Sequence, residues 1–194
     1  MSETILAALD EGRRALDKLM EDETTISAIN QAGELLSRAF LAGNRAFSCG
    51  NGGSMCDAMH FAEELSGRFR SERSPLPASA ISDPSFITCT ANDYGYESIF
   101  SRQIECQAKP GDVLLAISTS GNSPNVLEAA KMARDKGVTV LALTGKTKSK
   151  LEELADIVVC TPVGRYSDRV QELHIKVIHI LIELVERELF PENY

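Results

Sequence analysis

The sequence predicts a three-layer α/β/α sandwich with a five-stranded parallel sheet and an N-terminal helical extension. From about residue 46 onward, short apolar runs alternate with amphipathic helical segments, as they do in a parallel sheet that is covered on both faces. Two of these runs end in loops rich in glycine and hydroxyl side chains, and helical periodicity resumes after each loop. A length of 194 residues is most simply one domain. We therefore expect a single domain over 1–194, with N-terminal helices in 1–43 and an α/β core with a long C-terminal helix in 44–194.

The N-terminal extension is predicted to be two helices, because each half carries one apolar stripe at helical spacing. The first stripe consists of Ile5, Leu6, Leu9, Leu16 and Leu19, and the second of Ile26, Ile29, Ala32, Leu35, Leu36, Phe40 and Leu41. Gly43 and Asn44 then end the second helix. These stripes and that of the final helix are larger than one small sheet needs, so we expect the helices to serve oligomerisation.

The elements of the α/β core are predicted from apolar runs and from helix start and stop signals. Strands are expected at about 46–49, 78–82, 113–117, 138–143 and 157–160. Helices are expected at about 55–66, 85–91, 97–106, 124–136, 149–154 and 167–190. Pro124 at a first helical turn and Gly137 after a last turn support this assignment. The locally basic loop 68–77 is interpreted as a solvated loop rather than as a second anion contact.

Charge and cysteine usage limit the classes of function. A net charge of -8 argues against a nucleic-acid surface, although a small anion needs only local donors. The five cysteines are scattered and form no C-x-x-C pair, which indicates reduced thiols in a cytoplasmic protein. No export signal is visible at the N-terminus. The most apolar helical run, 175–185, contains Lys176, His179 and Glu183 and is too short to span a bilayer. We expect a cytoplasmic protein with neither nucleic-acid nor membrane partners.

The loop after the third predicted strand has the composition of a phosphate site. An apolar run ends at Ile117 and is followed by Ser118, Thr119, Ser120, Gly121, Asn122 and Ser123, after which Pro124 opens a helix. Such a strand-to-helix junction leaves backbone N–H groups unpaired and aimed at one spot. An ordinary turn with a capped helix is the alternative for any single loop of this kind.

A second loop of similar design follows the first predicted strand. Gly50, Asn51, Gly52, Gly53 and Ser54 permit positive φ angles and close backbone approach, and Ser54 is expected to cap the next helix. Neither loop has the spacing or the lysine of the nucleotide-binding glycine motifs. Two hydroxyl-bearing loops without those motifs favour a sugar phosphate that is bound without a nucleotide.

Acidic and imidazole side chains cluster on two predicted helices. His60 and Glu64 are four residues apart and therefore share a helix face. His179 lies within an apolar run, where an ionisable group is costly without a partner, and His174 lies on the same helix. The alternative for His60 and Glu64 is an ordinary surface pair, and the alternative for His179 is a core histidine whose hydrogen bonds are satisfied. All three histidines nevertheless fall on two helices that carry carboxylates, which favours a site.

Five segments give the chain its resemblance to a known family. They are Cys49-Gly-Asn-Gly-Gly-Ser54, Asp57-Ala-Met-His-Phe-Ala-Glu-Glu64-Leu, Ala91-Asn-Asp-Tyr-Gly-Tyr96, Leu115-Ala-Ile-Ser-Thr-Ser-Gly-Asn-Ser123 and Arg169-Val-Gln-Glu-Leu-His-Ile-Lys-Val-Ile-His179. Together they resemble the phosphoheptose isomerases of the sugar-isomerase (SIS) domain superfamily, and the similarity runs over nearly the whole chain. The resemblance implies a cytoplasmic homotetramer with active sites near subunit interfaces.

The resemblance also implies a reaction and the residues that perform it. The reaction converts D-sedoheptulose 7-phosphate to D-glycero-D-manno-heptose 7-phosphate through an enediol, as the first step toward ADP-heptose and the lipopolysaccharide core. Glu64 and His179 would be the catalytic base and acid, with Asp168 as a further catalytic residue. One zinc ion per subunit would be bound by His60, Glu64, Gln171 and His179. The substrate would be bound by Asn51, Gly52, Gly53, Ser54, Glu64, Asn92, Asp93, Ser118, Thr119, Ser120, Ser123 and Gln171.

Two questions stay open at the level of sequence. Gln171 and His179 are eight residues apart, roughly 12 Å along a straight helix, so a shared metal requires a bent helix or ligands from different subunits. Glu64 also loses basicity if it binds the metal. The chief alternative function is a SIS-domain binding protein that regulates the replication initiator, yet an adaptor has no reason to keep Glu64, Gln171 and His179 together. An isomerase of another phosphosugar, or a phosphosugar sensor, is the second alternative.

Overall fold

The computed structural model describes residues 2–161 and 166–194, and Met1 and 162–165 lie outside these described residues. Within them the strands are β1 (Ala46–Cys49), β2 (Ala78–Ala80), β3 (Val113–Ser118), β4 (Thr139–Thr144) and β5 (Ile157–Cys160). The helices are α1 (Ser2–Glu21), α2 (Glu23–Leu41), α3 (Gly53–Ser66), α4 (Pro84–Tyr94), α5 (Ser101–Gln107), α6 (Pro124–Asp135), α7 (Lys150–Leu154) and α8 (Ser167–Leu189).

All five strands are parallel and lie in the order β2-β1-β3-β4-β5. The chain therefore leaves β1 toward one edge of the sheet and returns to the other side at β3. In parallel α/β sheets, ligands bind at the carboxyl ends of the strands where the winding direction reverses. Here that position lies between the loop after β1 and the loop after β3, and these are the two loops with glycine and hydroxyl side chains.

The core consists of two apolar clusters, one on each face of the sheet. One cluster joins the sheet to α1, α2, α3 and α8, and the other joins it to α5, α6 and α7. The side chains of β3 are buried along its whole length, as expected for a central strand with helices on both sides. The predicted α/β/α sandwich with its N-terminal helices is confirmed.

Several local predictions need correction. The helix predicted at 97–106 is divided into a 3-10 turn (Tyr96–Ser98) and α5. Ser54 does not cap α3, because the helix begins at Gly53 and Ser54 is buried inside its first turn. The loop 68–77 is not simply solvated, since Arg73 and Leu76 are both buried.

Among the described residues, no helix combines the length and the apolar character needed to cross a membrane.

Candidate active site

The loop between β1 and α3 brings backbone to the carboxyl edge of the sheet. Gly52 adopts a φ of 55°, in the left-handed region that favours glycine, and it precedes α3 without a side-chain cap. Gly53 allows a close side-chain approach, because a Cβ built there would lie 2.6 Å from Nε2 of Gln171. The amide of Gln171 therefore packs directly on the first turn of α3.

The loop between β3 and α6 concentrates hydroxyl groups at a helix N-terminus. Ser118 ends β3, and its Oγ lies 3.0 Å from Oγ of Ser123 and 3.4 Å from Oγ of Ser120. Ser123 occupies the N-cap position of α6, but its hydroxyl makes no capping bond to that helix. Thr119, Ser120 and Ser123 are half-buried. Convergent hydroxyls at the positive end of a helix dipole suit a phosphate group.

An amide pair joins the two loops. Nδ2 of Asn51 donates to Oδ1 of Asn125 at 2.9 Å, and Nδ2 of Asn125 donates to Oδ1 of Asn51 at 2.8 Å. The hydroxyl of Tyr96 donates to Oδ1 of Asn51 at 3.0 Å. Because Asn51 follows β1 and Asn125 lies in the first turn of α6, this pair fixes the glycine loop against the hydroxyl loop.

A second group of side chains lies where α3 packs against α8. Nε2 of His60 lies 3.0 Å from Nε2 of His179 and 3.2 Å from Oε1 of Glu64. Nε2 of His179 lies 3.8 Å from Oε2 of Glu64. The Glu64 side chain is 16% exposed, whereas those of His60 and His179 are 39% and 42% exposed. We call His60, Glu64 and His179 the helix-pair cluster.

The ring of Phe69 supports this cluster from the loop after α3. It stacks on the His179 ring with a centroid distance of 5.9 Å and an interplanar angle of 28°. The His60 and His179 rings meet edge to face at 5.1 Å. The His179 ring is therefore in contact with aromatic rings from two segments, which limits its rotation.

The helix-pair cluster fits a divalent metal ion. One ligand atom from each of its three residues lies within 4.8 Å of the other two. Oε2 of Glu64 is buried and has no hydrogen-bond partner among the described residues, a costly state that a cation would relieve. Two imidazole nitrogens and a carboxylate oxygen are ligands that zinc accepts, with a further position left open.

The remaining predicted site residues lie apart from this cluster within one protomer. Gln171 packs on Gly53, two turns of α3 before His60. Asp168 is exposed in the first turn of α8 and accepts a hydrogen bond from its neighbour's backbone N–H, and it precedes His179 by roughly 16 Å of helix. Asn92 and Asp93 are exposed at the end of α4 and bond to each other at 2.7 Å.

Two buried side chains on α3 and α8, Asp57 and His174, have pKa values that burial shifts. Burial raises the pKa of Asp57 to about 6, although nearby His60 lowers it in part, and Oδ2 of Asp57 has no hydrogen bond within the described residues. Burial lowers the pKa of His174 to about 4, against a smaller opposing effect of the Thr144 backbone. His174 lies outside the helix-pair cluster, so only two of the three histidines meet.

Sequence reasoning missed several residues that shape the site. Asn125 directly follows the hydroxyl loop, and Tyr96 ends one of the segments that carry the family resemblance, but neither was predicted to be a site residue. The position of Asn125 beside that loop could have suggested a contact with Asn51 of the glycine loop. Phe69 and Asp57 gave no signal, because their roles depend on which helices pack together. Arg73 was wrongly included in a solvated loop, because charged and exposed residues lie near it in the sequence.

Comparisons with known proteins agree over nearly the whole chain. The family model described as SIS domain matches residues 9–145. A phosphoheptose isomerase of Proteus mirabilis is 54% identical over 185 residues, which are 95% of this chain and 96% of the relative. A phosphoheptose isomerase of Cytophaga hutchinsonii is 53% identical over 186 residues, 96% of this chain and 97% of the relative.

Solved structures show the same similarity in three dimensions. The phosphoheptose isomerase GmhA of Neisseria gonorrhoeae superimposes with a TM-score of 0.88 at 36% identity, over 95% of this chain and 98% of that one. A phosphoheptose isomerase of Francisella tularensis gives a TM-score of 0.89 at 32% identity, over 95% of this chain and 97% of that one. The NanR protein of Vibrio vulnificus, solved with ManNAc-6P, shares the fold with a TM-score of 0.64 at 18% identity, over 98% of this chain and 67% of that one.

Proposed function

Because the chain belongs to the phosphoheptose isomerases of the SIS domain family, we propose that it converts D-sedoheptulose 7-phosphate to D-glycero-D-manno-heptose 7-phosphate. The observation that carries this proposal is the meeting of the Glu64 carboxylate with the His179 imidazole. An aldose–ketose isomerisation needs a base that reaches two adjacent carbons and a second group that exchanges protons with the oxygens. A carboxylate and an imidazole are suited to these two tasks near neutral pH.

The reaction is a transfer of one proton between neighbouring carbons and of another between neighbouring oxygens. Glu64 removes a proton from C1 of the ketose while His179 gives a proton to the C2 carbonyl oxygen, which yields the enediol. His179 then takes the proton from the C1 hydroxyl while Glu64 returns its proton to C2, and the aldehyde forms at C1. Both side chains end in their starting protonation states, so no further acid or base is consumed. Asp168 is proposed as a further catalytic residue from the resemblance alone.

The substrate is proposed to bind at both ends. Ser118, Thr119, Ser120 and Ser123 would hold the phosphate, which the convergence of their hydroxyls at the start of α6 supports. The sugar hydroxyls would be bound by polar side chains and backbone around the glycine loop and at the end of α4. That set comprises Asn51, Gly52, Gly53, Ser54, Asn92, Asp93 and Gln171.

One site is proposed to take residues from more than one subunit of a homotetramer. Glu64 lies eleven residues after Gly53 on α3, about 16 Å along the helix axis. This separation is comparable to or greater than the length of an extended seven-carbon sugar phosphate, which favours a substrate held by the loops of one protomer and the helix-pair cluster of another. Exposed apolar residues on α1, Ile5, Leu6 and Leu9, supply a surface for the association.

One zinc ion per subunit is proposed at His60, Glu64 and His179, with Gln171 as a further ligand. The orphaned Oε2 atom of Glu64 and the nitrogen and oxygen donors support this assignment. A bound zinc ion would polarise the substrate carbonyl and stabilise the negative charge of the enediolate. Glu64 then acts as ligand or as base in a given state, because metal binding lowers its basicity. His179 likewise acts as the acid only in a state in which the nitrogen that would bind zinc carries a proton instead. Gln171 packs on Gly53 of its own chain, so its participation depends on subunit contacts or on a movement of its side chain.

The cellular setting is proposed on less direct grounds. Five cysteines without a paired pattern favour a reducing compartment, and we propose the cytoplasm. The product of the reaction would enter the synthesis of ADP-heptose for the lipopolysaccharide core.

The direct experiment is incubation of the purified protein with sedoheptulose 7-phosphate and detection of the seven-carbon aldose phosphate by NMR. Appearance of the aldose, together with exchange of a C1 proton for solvent deuterium, supports the enediol mechanism. Absence of turnover in zinc-loaded protein of native oligomeric state would refute the proposed reaction.

A further inference from the structure

A buried arginine connects the two helices that carry the helix-pair cluster. The side chain of Arg73 is 1% exposed, and its Nε donates to Oε1 of Glu186 at 2.7 Å. The Glu186 side chain is fully buried, and its other oxygen, Oε2, accepts from the hydroxyl of Tyr194 at 2.9 Å. Both oxygens of this buried carboxylate are therefore bonded.

The same guanidinium group also binds the last turn of α3. Nη2 of Arg73 donates to the backbone carbonyl of Glu64 at 2.6 Å. Nη1 donates to the carbonyls of Leu65 at 2.8 Å and Gly67 at 3.1 Å. Carbonyls at a helix C-terminus have no partner within the helix, and a cation there is favoured by the helix dipole. Arg73 thus bonds to the backbone of the proposed catalytic base itself.

Three residues of the same loop contact one stripe of α8. Phe69 stacks on His179, Arg70 forms an ion pair with Glu183 at 2.8 Å, and Arg73 pairs with Glu186. Positions 179, 183 and 186 are spaced by four and three residues, so they lie on one face of the helix. The loop between α3 and β2 therefore holds α8 at the turn of His179 and at the next two turns.

We propose that Arg73 is a positioning residue that sets the distance between Glu64 and His179, an inference that rests on the proposed isomerase function. A buried ion pair is in general weak evidence for stability, because desolvation offsets most of the attraction. The planar guanidinium is better suited to geometry, since its donors point in fixed directions and here reach α3 and α8 at once. Lysine offers a single ammonium group that cannot hold both helices in the same way.

The test is a pair of variants with a matched surface control. Arg73→Met combined with Glu186→Leu removes both buried charges together, so neither is left unpaired in the core. Arg73→Lys keeps the charge without the planar group. Arg38→Met is the control, because within 2–161 and 166–194 the side chain of Arg38 pairs only with Glu34, at an exposed position of α2.

We expect the double variant to fold with a lower melting temperature, because the carbonyls of Glu64 and Gly67 lose the Arg73 donor and the Tyr194 hydroxyl loses its acceptor. Assayed well below that temperature, its kcat should fall about 30-fold while KM changes less than about threefold. A misplacement of about 1 Å far from the chemistry can cost a factor of this order, and the phosphate is held by a different loop. Arg73→Lys should restore only part of the lost kcat, and Arg38→Met should match the parent. A double variant that folds and keeps the parental kcat would overturn the proposal.

A second measurement does not depend on turnover. The chain has three histidines, so ¹⁵N-labelled histidine gives a simple NMR spectrum in which hydrogen bonding shifts the Nε2 signals of His60 and His179. In metal-free protein, these two nitrogens should move apart in the double variant and their signals should shift, while the signals of buried His174 stay unchanged. If the parent has no isomerase activity but the two signals shift in this way, the isomerase reaction alone is refuted. Unchanged His60 and His179 signals would count against the role of Arg73.

Discussion

The Nε2 atoms of His60 and His179 lie 3.0 Å apart, although the two residues are 119 positions apart in the chain. Two neutral imidazoles can be this close only if one donates an N–H to the other or if both bind the same cation. Two protonated rings would repel each other. With Oε1 of Glu64 at 3.2 Å from the His60 nitrogen, the arrangement favours a shared cation over a pair of free bases.

Metal binding is the first consequence to test. Protein stripped by a chelator should bind one Zn²⁺ or Co²⁺ per chain, and the Co²⁺ form should show the strong visible absorption of a tetrahedral site. His60→Ala should lower the affinity by about 100-fold or more, because one of the two imidazole ligands is lost. Measurement is by competition with a chromophoric chelator. His174→Leu is the control, since His174 lies outside the cluster, and equal affinity of His60→Ala and parent would contradict the site.

Glu64→Gln tests the base directly. The amide keeps the size of the side chain but accepts no proton, so kcat should fall by about 10³-fold, within the range that general base catalysis contributes. Glu34→Gln, at an exposed position on α2, provides the control for a lost surface charge. Deuterium exchange at C1 of the substrate should disappear together with turnover. Exchange at the parental rate in Glu64→Gln would assign the base to another residue.

Mixed oligomers test whether one site is shared between subunits. Ser120→Glu places a carboxylate where the phosphate is proposed to bind and should abolish substrate binding through charge repulsion. If Glu64 and the hydroxyl loop of one site come from different chains, subunits of Glu64→Gln and Ser120→Glu that are refolded together should regain part of the parental activity. Activity is compared with that of each variant refolded alone. A mixture that forms hetero-oligomers yet stays inactive would place both residues in one subunit.

The fold could be predicted from the sequence because each element carries its own signal. The strand predicted at 157–160 is β5 as observed, and α6 begins at Pro124 as its proline indicates. The predicted cap at Ser54 was wrong, because the glycine loop turns through Gly52 and the helix starts at Gly53, two residues earlier than expected. Boundaries of this kind depend on backbone angles that several small residues permit equally well.

The candidate site was only partly predictable. The i,i+4 spacing of His60 and Glu64 could be read locally, whereas their contact with His179 exists only because α3 packs against α8. His179 stood out because an ionisable side chain interrupts an apolar run, and the resemblance added a role for it, but neither signal placed it beside His60 and Glu64. Arg73 escaped notice because a buried arginine and an exposed one look identical in a charged loop, and its partner Glu186 lies 113 positions away.

Asn125→Asp tests the amide pair between the loops. Aspartate retains the oxygen that accepts from Asn51 but loses the Nδ2 donor. An aspartate oxygen then takes the place of Nδ2, which now lies 2.8 Å from Oδ1 of Asn51, so two oxygens face each other without a hydrogen between them. We expect a loss of about 1–3 kcal/mol in the free energy of unfolding and a raised KM, because a negative charge then lies beside the proposed phosphate site. Asn30→Asp is the matched control, because Asn30 is at an exposed position of α2 and its side-chain bond, to Oε1 of Glu34, is on the surface, where we expect its loss to cost little. An unchanged urea midpoint and KM would show that the pair is dispensable.

His174→Leu tests the cost of the buried histidine as a function of pH. The pKa of His174 is lowered by burial from 6.5 to about 4 in the folded protein. Between these values the unfolded chain binds more protons than the folded one, so the contribution of His174 to stability is fully present above about pH 6.5 and is lost as the pH falls toward 4. From pH 7.5 to pH 5 the free energy of unfolding of the parent should therefore fall by about 2 kcal/mol more than that of the leucine variant, which has no titrating group at this position.

Urea unfolding at equal protomer concentration measures the free energies of unfolding of parent and variant at both pH values. The Thr144 backbone lies near the His174 ring but no well-aligned hydrogen bond joins them, so we expect the leucine variant to fold at pH 7.5 with only a small loss of stability. A stability difference between parent and variant that is the same at both pH values would mean that His174 gains a proton in the folded protein as easily as in the unfolded chain.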